Sequence, residues 1–181
     1  RIGELIRTQN FRVALSHTTD KEDFNDVVLS GIGIIQNRVP RPENPYYPGD
    51  QYRTLHMEKD IAKANQMLDA LGLSMGSDGK RTHKDGSGPV ELTLTIGDNP
   101  AVVQAAEILK AGWEAVGITT HINPRAAAHT VTRASKGTST IARDYSAYQY
   151  NPWMVQWTSL APLSRGELAG EIGQWYSSKG A

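Results

Sequence analysis

Hydrophobic and polar positions follow two different rhythms between residues 90 and 124, and together they predict a strand, a helix and a second strand. Val90, Leu92, Leu94 and Ile96 alternate with Glu91, Thr93 and Thr95, the period-two pattern of a half-buried strand. Asn99 is placed to cap a helix, and Pro100 suits its first turn because proline has no N–H to lose there. Val102, Ala105, Ala106, Leu109, Trp113 and Val116 then fall on one helical face, with Gln104, Glu107, Lys110 and Glu114 opposite. Gly117 supplies a left-handed stop, and Ile118 to Ile122 begins the second strand. A helix running straight into a strand implies a βαβ crossover with a parallel strand pair.

The same reading extends along the chain. Ile2 to Ser16 is expected to hold a short helix with Phe11, Ala14 and Leu15 inward. Asp20 caps a further helix whose apolar side carries Phe24, Val27 and Val28 and which Gly31 ends. Prolines at 40, 42, 45 and 48 force an ordered, partly extended loop between Val39 and Asp50, and Tyr46-Tyr47 on it either pin the loop or stack on a ligand. Asp60 opens the next helix, with Ile61, Ala64, Met67, Leu68 and Leu71 as its buried stripe and a Schellman-type stop at Gly72-Leu73. Residues 74–89 read as an exposed loop or hairpin. Beyond the crossover, Pro124 to Lys136 suggests another helix and Thr138 to Ala142 a third strand. The tail from Thr158 to Ala181 reads as an irregular connection out of the domain.

Composition narrows the function classes. Lys+Arg and Asp+Glu both number 19, so the chain lacks the basic surplus of a nucleic-acid binder, and no basic stripe replaces it. No apolar run approaches the ~18 residues of a membrane span. The absence of cysteine excludes disulfides and thiolate metal sites. Arg1 in place of a starting Met leads to the expectation that this is an excised piece of a longer protein. The histidines at 17, 56, 83, 121 and 129 are scattered with no ligand-type spacing, so neither a metal nor a cofactor is expected.

Candidate chemistry is sparse. Gly31-Ile-Gly33 is only a fragment of a phosphate loop, and a helix, not a strand, precedes it. Gly72-Leu-Ser-Met-Gly76 matches the nucleophile-elbow pattern, which would make Ser74 the nucleophile of a hydrolase fragment. That elbow must follow a strand and open a helix, and here a helix comes first. Arg143 to Trp157 is the chemically richest stretch, with three tyrosines and two tryptophans crowded around Arg143, Asp144 and Asn151. Such a stretch after a strand suits a small-molecule or peptide cleft, or an aromatic cluster that closes the domain or docks a protein partner.

The order of these pieces resembles one family, the extracellular solute-binding proteins of family 5, which serve ABC importers of peptides, dipeptides and nickel. Phe11 to Ser16, Asp20-Lys21 and Val27-Val28 are similar to its paired helices. Pro45-Tyr-Tyr47 resembles its proline-tyrosine loop, and Asp60, Lys63-Ala64, Met67 to Asp69 and Gly72-Leu73 resemble its next helix and stop. Leu92 to Leu94 and Val116-Gly-Ile118 match its strand–helix–strand. The resemblance runs over nearly the whole chain, and the joint order of the motifs is what makes it specific.

The resemblance implies an α/β fold: one lobe of a type II periplasmic-binding-protein fold, a mixed sheet with flanking helices. Residues 1–181 would form a single domain, with about 158–181 leading toward a missing first lobe. Such a lobe is non-catalytic and traps a small-molecule or peptide ligand when its counterpart closes. It implies delivery to a membrane permease, and a periplasmic or extracellular location with lipid anchoring left open. By the same resemblance, Asn151-Pro152 corresponds to a ligand-facing Asp-Pro, Arg143 falls near the family's arginine, and Tyr145 takes its aromatic position. Tyr148 and Trp153 offer further flat faces. Peptide receptors of the family hold the ligand's ammonium with an aspartate four residues before that proline, where this chain has Tyr148. Asp144 is the nearest carboxylate, in another register, so a neutral ligand such as a sugar oligomer, an opine-like compound or a capped peptide fits better than a free N-terminus.

Overall fold

In the computed structural model the described residues are 2–37, 39–40, 42–45, 47–126, 175 and 178–179. They fall into two compact units. One comprises residues 1–35, 56–94 and 99–123, and the other 36–55, 95–98 and 124–181.

The first unit is built on five helices. Instead of one N-terminal helix there are two, α1 (Ile2–Arg7) and α2 (Gln9–Thr18), because Thr8 takes extended backbone between them. Phe11, Ala14 and Leu15 turn inward as the periodicity requires. α3 (Lys21–Leu29) starts at Asp20, whose carboxylate accepts the Asp23 N–H at 3.0 Å. α4 (Ile61–Ala70) starts the same way at Asp60, which accepts from Lys63 at 2.8 Å. It ends in a Schellman motif: the N–H of Gly72 bonds Asp69 O and that of Leu73 bonds Leu68 O, with Gly72 at φ +77. α5 (Pro100–Glu114) is capped by Asn99 through the Ala101 N–H at 3.0 Å. α2 packs on α4 and α5, and α3 packs on α5.

One expectation fails on α3. Its helix buries no residue, and Val27 is 51% exposed where an inward position was expected. Periodicity identifies an apolar side of a helix but not whether a neighbour covers it.

Residues 74–89 form a hairpin, β1 (Ser74–Met75) antiparallel to β2 (Arg81–Thr82), with Ser74 opposite Thr82. β3 (Glu91–Gly97) and β4 (Thr119–Arg125) pair in a second sheet. The Thr119 N–H bonds Val90 O at 3.1 Å, and His121 lies 3.7 Å from Glu91. The two contacts advance together along both strands, as in a parallel pair joined by the α5 crossover. Val90, Leu92, Leu94 and Ile96 are buried as their alternation predicts, and Thr95 is buried too. The helix expected from Pro124 does not start there: Pro124 and Arg125 finish β4. The remainder of that helix and the strand expected at 138–142 lie outside the described residues.

Candidate functional site

Arg143, Asp144, Tyr145, Tyr148, Asn151 and Trp153, the residues the sequence singles out for ligand contact, lie outside the described residues. So does most of the tail from residue 158. What the structure does describe is the framework on either side of that stretch, and the other residues to which the sequence attached chemistry.

Ser74 sits in β1, exposed, directly after the turn that ends α4. A nucleophile elbow needs the opposite order, and no described hydrogen bond engages the Ser74 hydroxyl. No group of three or more His, Asp or Glu side chains converges among the described residues. His121 is an exposed strand residue facing Glu91. His17 is fully buried at the end of α2, and its Nδ1 lies 2.9 Å from the Glu58 carbonyl. Since a carbonyl only accepts, Nδ1 carries the proton there, and Nε2 is left without a partner among the described residues. The ring meets His56 edge-on at 5.9 Å. No solute reaches an imidazole this enclosed, so its part is to fix the segment before α4. The Asp60 N–H onto His17 O and the Ser16 hydroxyl onto His56 O do the same.

Glu58, on that segment, accepts from Lys63 at 2.8 Å. This bond chiefly, with backbone donation, holds its carboxyl down to about 2. Asp20 is likewise held below the usual carboxylate range by the Lys59 ammonium at 2.7 Å and by the Asp23 N–H. Both carboxylates are committed to structural partners. Neither is poised as an acid or base near neutral pH.

The proline-rich loop closes on itself within the second unit. The Asn37 N–H bonds Arg53 O at 2.7 Å, and its side-chain amide donates to Tyr52 O and Leu55 O. Arg53 in turn donates through Nε and Nη2 to Gln36 Oε1. The Tyr47 hydroxyl donates to Asp50 at 2.5 Å. Partial burial and that carboxylate push the Tyr47 phenol up, while Tyr47 and then Arg53 pull Asp50 down. Of the two uses the sequence allowed for the loop tyrosines, Tyr47 takes the structural one. Tyr46 lies outside the described residues.

Two open grooves mark the first unit. One, of about 510 Å³, is lined by the apolar Ile61, Ile108 and Ala111 and by the charged Asp20, Lys59 and Glu107. The other, of about 540 Å³, runs past Leu5, Leu71, His83 and Lys84. The hydroxyl on the second, that of Thr8, donates to Glu4 O at 3.0 Å.

Sequence reasoning missed the most heavily bonded side chain in the unit. Arg81 is 1% exposed. Its Nε donates to Val116 O at 2.8 Å and Nη1 to Asp69 at 2.6 Å and to Leu73 O. Nη2 donates to the Asn65 side chain at 2.8 Å. The guanidinium thus ties the ends of α4 and α5 to the hairpin. Nothing local in a Gly-, Ser- and Lys-rich stretch announces a buried arginine.

Against known proteins, the model of the bacterial extracellular solute-binding proteins, family 5 Middle, matches residues 3–164. No curated protein sequence matches the chain. Among solved structures it is similar to the oligopeptide-binding protein OppA, at TM-score 0.79 and 20% identity over 95% of this chain and 28% of that one. It is similar to NikA from Brucella suis in complex with Fe(III)-EDTA, at TM-score 0.72 and 21% identity over 96% of this chain and 34% of that one. It is also similar to a mannohexaose-bound periplasmic oligopeptide-binding protein of an ABC transporter from Thermotoga maritima, at TM-score 0.73 and 18% identity over 93% and 33%. These likenesses give the fold, a fragment of the type II periplasmic-binding architecture spanning about a third of those chains or less. With nearly all of its length matched by one family model, the chain belongs to the bacterial extracellular solute-binding proteins of family 5.

Proposed function

We propose that this chain is one lobe of the substrate-binding protein of an ABC importer, and that it captures a peptide or another oligomeric solute without chemical change. The family match over residues 3–164 carries this reading. The committed state of Asp20 and Glu58 and the placement of Ser74 outside any elbow agree with a binding role rather than a hydrolytic one. Solved relatives are named with ligands as unlike as Fe(III)-EDTA and mannohexaose, so solute choice belongs to side chains and not to the fold.

In this reading Tyr145, Tyr148 and Trp153 supply flat faces, Arg143 bonds a carboxylate through two parallel N–H donors, and Asn151 orients the loop or donates to the solute. Asp144 stands beside them out of the register that would hold an ammonium. Tyr148, where peptide receptors carry aspartate, favours a neutral oligomer or capped peptide. A companion lobe closes over the solute, and a membrane permease receives it from the periplasmic or extracellular side. One lobe alone binds weakly, because half the contacts leave little surplus over the entropic cost of association.

The test is a thermal-shift screen on the full-length receptor, with sugar oligomers, capped peptides and free peptides as separate arms. Saturation at a hundred times Kd stabilises by about 2.7 kcal/mol, an easily read rise in Tm. The expected result is a rise with a neutral oligomer or capped peptide, weakened at least tenfold by Tyr148→Ala. Covalent labelling of Ser74 by an active-serine phosphonate would overturn the reading.

A further inference from the structure

The β1–β2 hairpin sits on the turn that joins α5 to β4, and its seat is Gly117. That glycine holds left-handed backbone at φ +81, and a Cβ there would stand 2.8 Å from Met75 Sδ, 2.8 Å from Gly79 O and 3.1 Å from Arg81 Cγ. All three atoms belong to the hairpin, so the space a side chain would fill is the socket into which the hairpin fits. Beside it the Arg81 N–H bonds Gly117 O at 2.7 Å. Met75 therefore has two faces. Its sulfur rests against the Gly117 backbone, while the residue as a whole is 45% exposed. The other described methionines, Met57 and Met67, are each less exposed. The chain has no cysteine, so its thioethers are the sulfur that an oxidant meets.

We propose that Met75 is a sulfoxidation site, and that peroxide acting there unclips the hairpin from the turn between α5 and β4. The step balances with hydrogen peroxide as its one co-reactant. A sulfur lone pair attacks one peroxide oxygen and forms the S–O bond. The O–O bond breaks, and the proton on the transferred oxygen passes to the departing one, which leaves as water. Sulfur loses two electrons and the peroxide gains them. Exposure admits the oxidant, and the seat gives the product its effect. The sulfoxide is polar and chiral where the thioether was apolar. Turned inward, its oxygen meets Gly79 O, which has no proton to offer. Turned outward, it draws the side chain toward water and off the Gly117 backbone. Either way the socket loses one of the atoms that fill it, and the Arg81 N–H bond to Gly117 O is opened to water. Sulfoxide reductases reverse the oxidation, so the contact can be reset.

In the full-length receptor, brief treatment with hydrogen peroxide followed by peptide mapping reads the site. Fragment spectra separate Met75 from Met67, which share one tryptic peptide. Met75 should convert about fivefold faster than Met57 or Met67 in the native state, and at their rate in denaturant. Amide hydrogen exchange then reads the effect. Residues 76–82 should exchange about tenfold faster after oxidation while residues 100–110 stay unchanged, and a methionine sulfoxide reductase should restore the slow rate. Met75→Leu, which keeps an apolar group of similar volume, should exchange slowly with or without peroxide. Met75→Gln, polar from the start, should exchange fast without it. Native conversion of Met57 or Met67 as fast as that of Met75 overturns the site. Oxidised Met75 with unchanged exchange at 76–82 overturns the unclipping. Faster exchange there after peroxide in Met75→Leu does the same, because it places the lesion elsewhere. None of these readouts needs a solute, so their failure is distinct from failure of the capture reading.

Discussion

Replacing Arg81 by methionine separates two accounts of what a buried arginine contributes. One holds that the Arg81–Asp69 ion pair is the stabilising element, and the other that the guanidinium serves the carbonyls at two helix ends. The geometry decides between them. Asp69 is 63% exposed and regains water when its partner goes, so the pair is worth about 0–1 kcal/mol, as surface pairs are. The bonds to Leu73 O and Val116 O are buried, and each acceptor left unsatisfied costs about 1–3 kcal/mol. Methionine restores most of the stem's packing, so little cavity term is added. Arg81→Met should therefore lose about 3–5 kcal/mol, a large part of the 5–15 kcal/mol of an ordinary domain. Asp69→Asn should lose about 1 kcal/mol or less. Urea denaturation followed by circular dichroism measures both, reading the midpoint at unchanged slope. Equal losses for the two variants, or an Arg81→Met loss under about 1 kcal/mol, would refute the assignment to the carbonyls.

The remaining predictions concern close contacts, caps and acid. Gly112→Ala should lower Tm despite alanine's helix propensity advantage of about 1 kcal/mol, because its Cβ would stand 2.5 Å from the Thr18 carbonyl oxygen and push α5 off the end of α2. A thermal melt with Tm unchanged or raised contradicts that. Asp60→Ala should cost about 1 kcal/mol by exposing the Lys63 N–H, and Asp60→Asn, which still accepts, should recover most of it in the same denaturation assay. Glu58 has its carboxyl lowered from 4.5 to about 2, so its contribution is complete above pH 4.5 and is lost as pH falls toward 2. Asp20, also lowered, acts in the same direction below pH 3.8. Tm measured from pH 7 to pH 2 should fall through that window, and Glu58→Gln should flatten the upper part of the fall.

What the sequence revealed was local. Asp20, Asp60 and Asn99 each cap a helix by bonding an N–H two or three residues ahead, and the stop at Gly72-Leu73 closes on residues three and five back. Signals of that range are visible in a short window. Alternation likewise placed the inward side of β3. The failures were those of longer range or of missing neighbours. Arg81 bonds Val116 across 35 positions, which no periodicity encodes. Val27 stays 51% exposed although α3 packs on α5, and periodicity does not say which positions of an apolar side the neighbour reaches. Thr95 reads as the outward member of an alternating strand yet is 3% exposed. For the candidate site itself, Arg143 to Trp153 were found by crowding of residue types and by family resemblance, neither of which carries distances.

The self-closure of the proline-rich loop has a consequence for how such a receptor can change. Asn37 ties to Arg53 O, Tyr52 O and Leu55 O, and inside that knot the Tyr47 hydroxyl and Arg53 both bond Asp50, so the fastening uses a few named residues and leaves the others out of it. Segments of this kind behave as cassettes. Their interiors can be lengthened, trimmed or rewritten while the knot still ties, and loop length itself adds only slowly to the cost of closure. Variation can therefore accumulate between the ends at little risk to folding, provided Asn37, Tyr47 and Asp50 are kept.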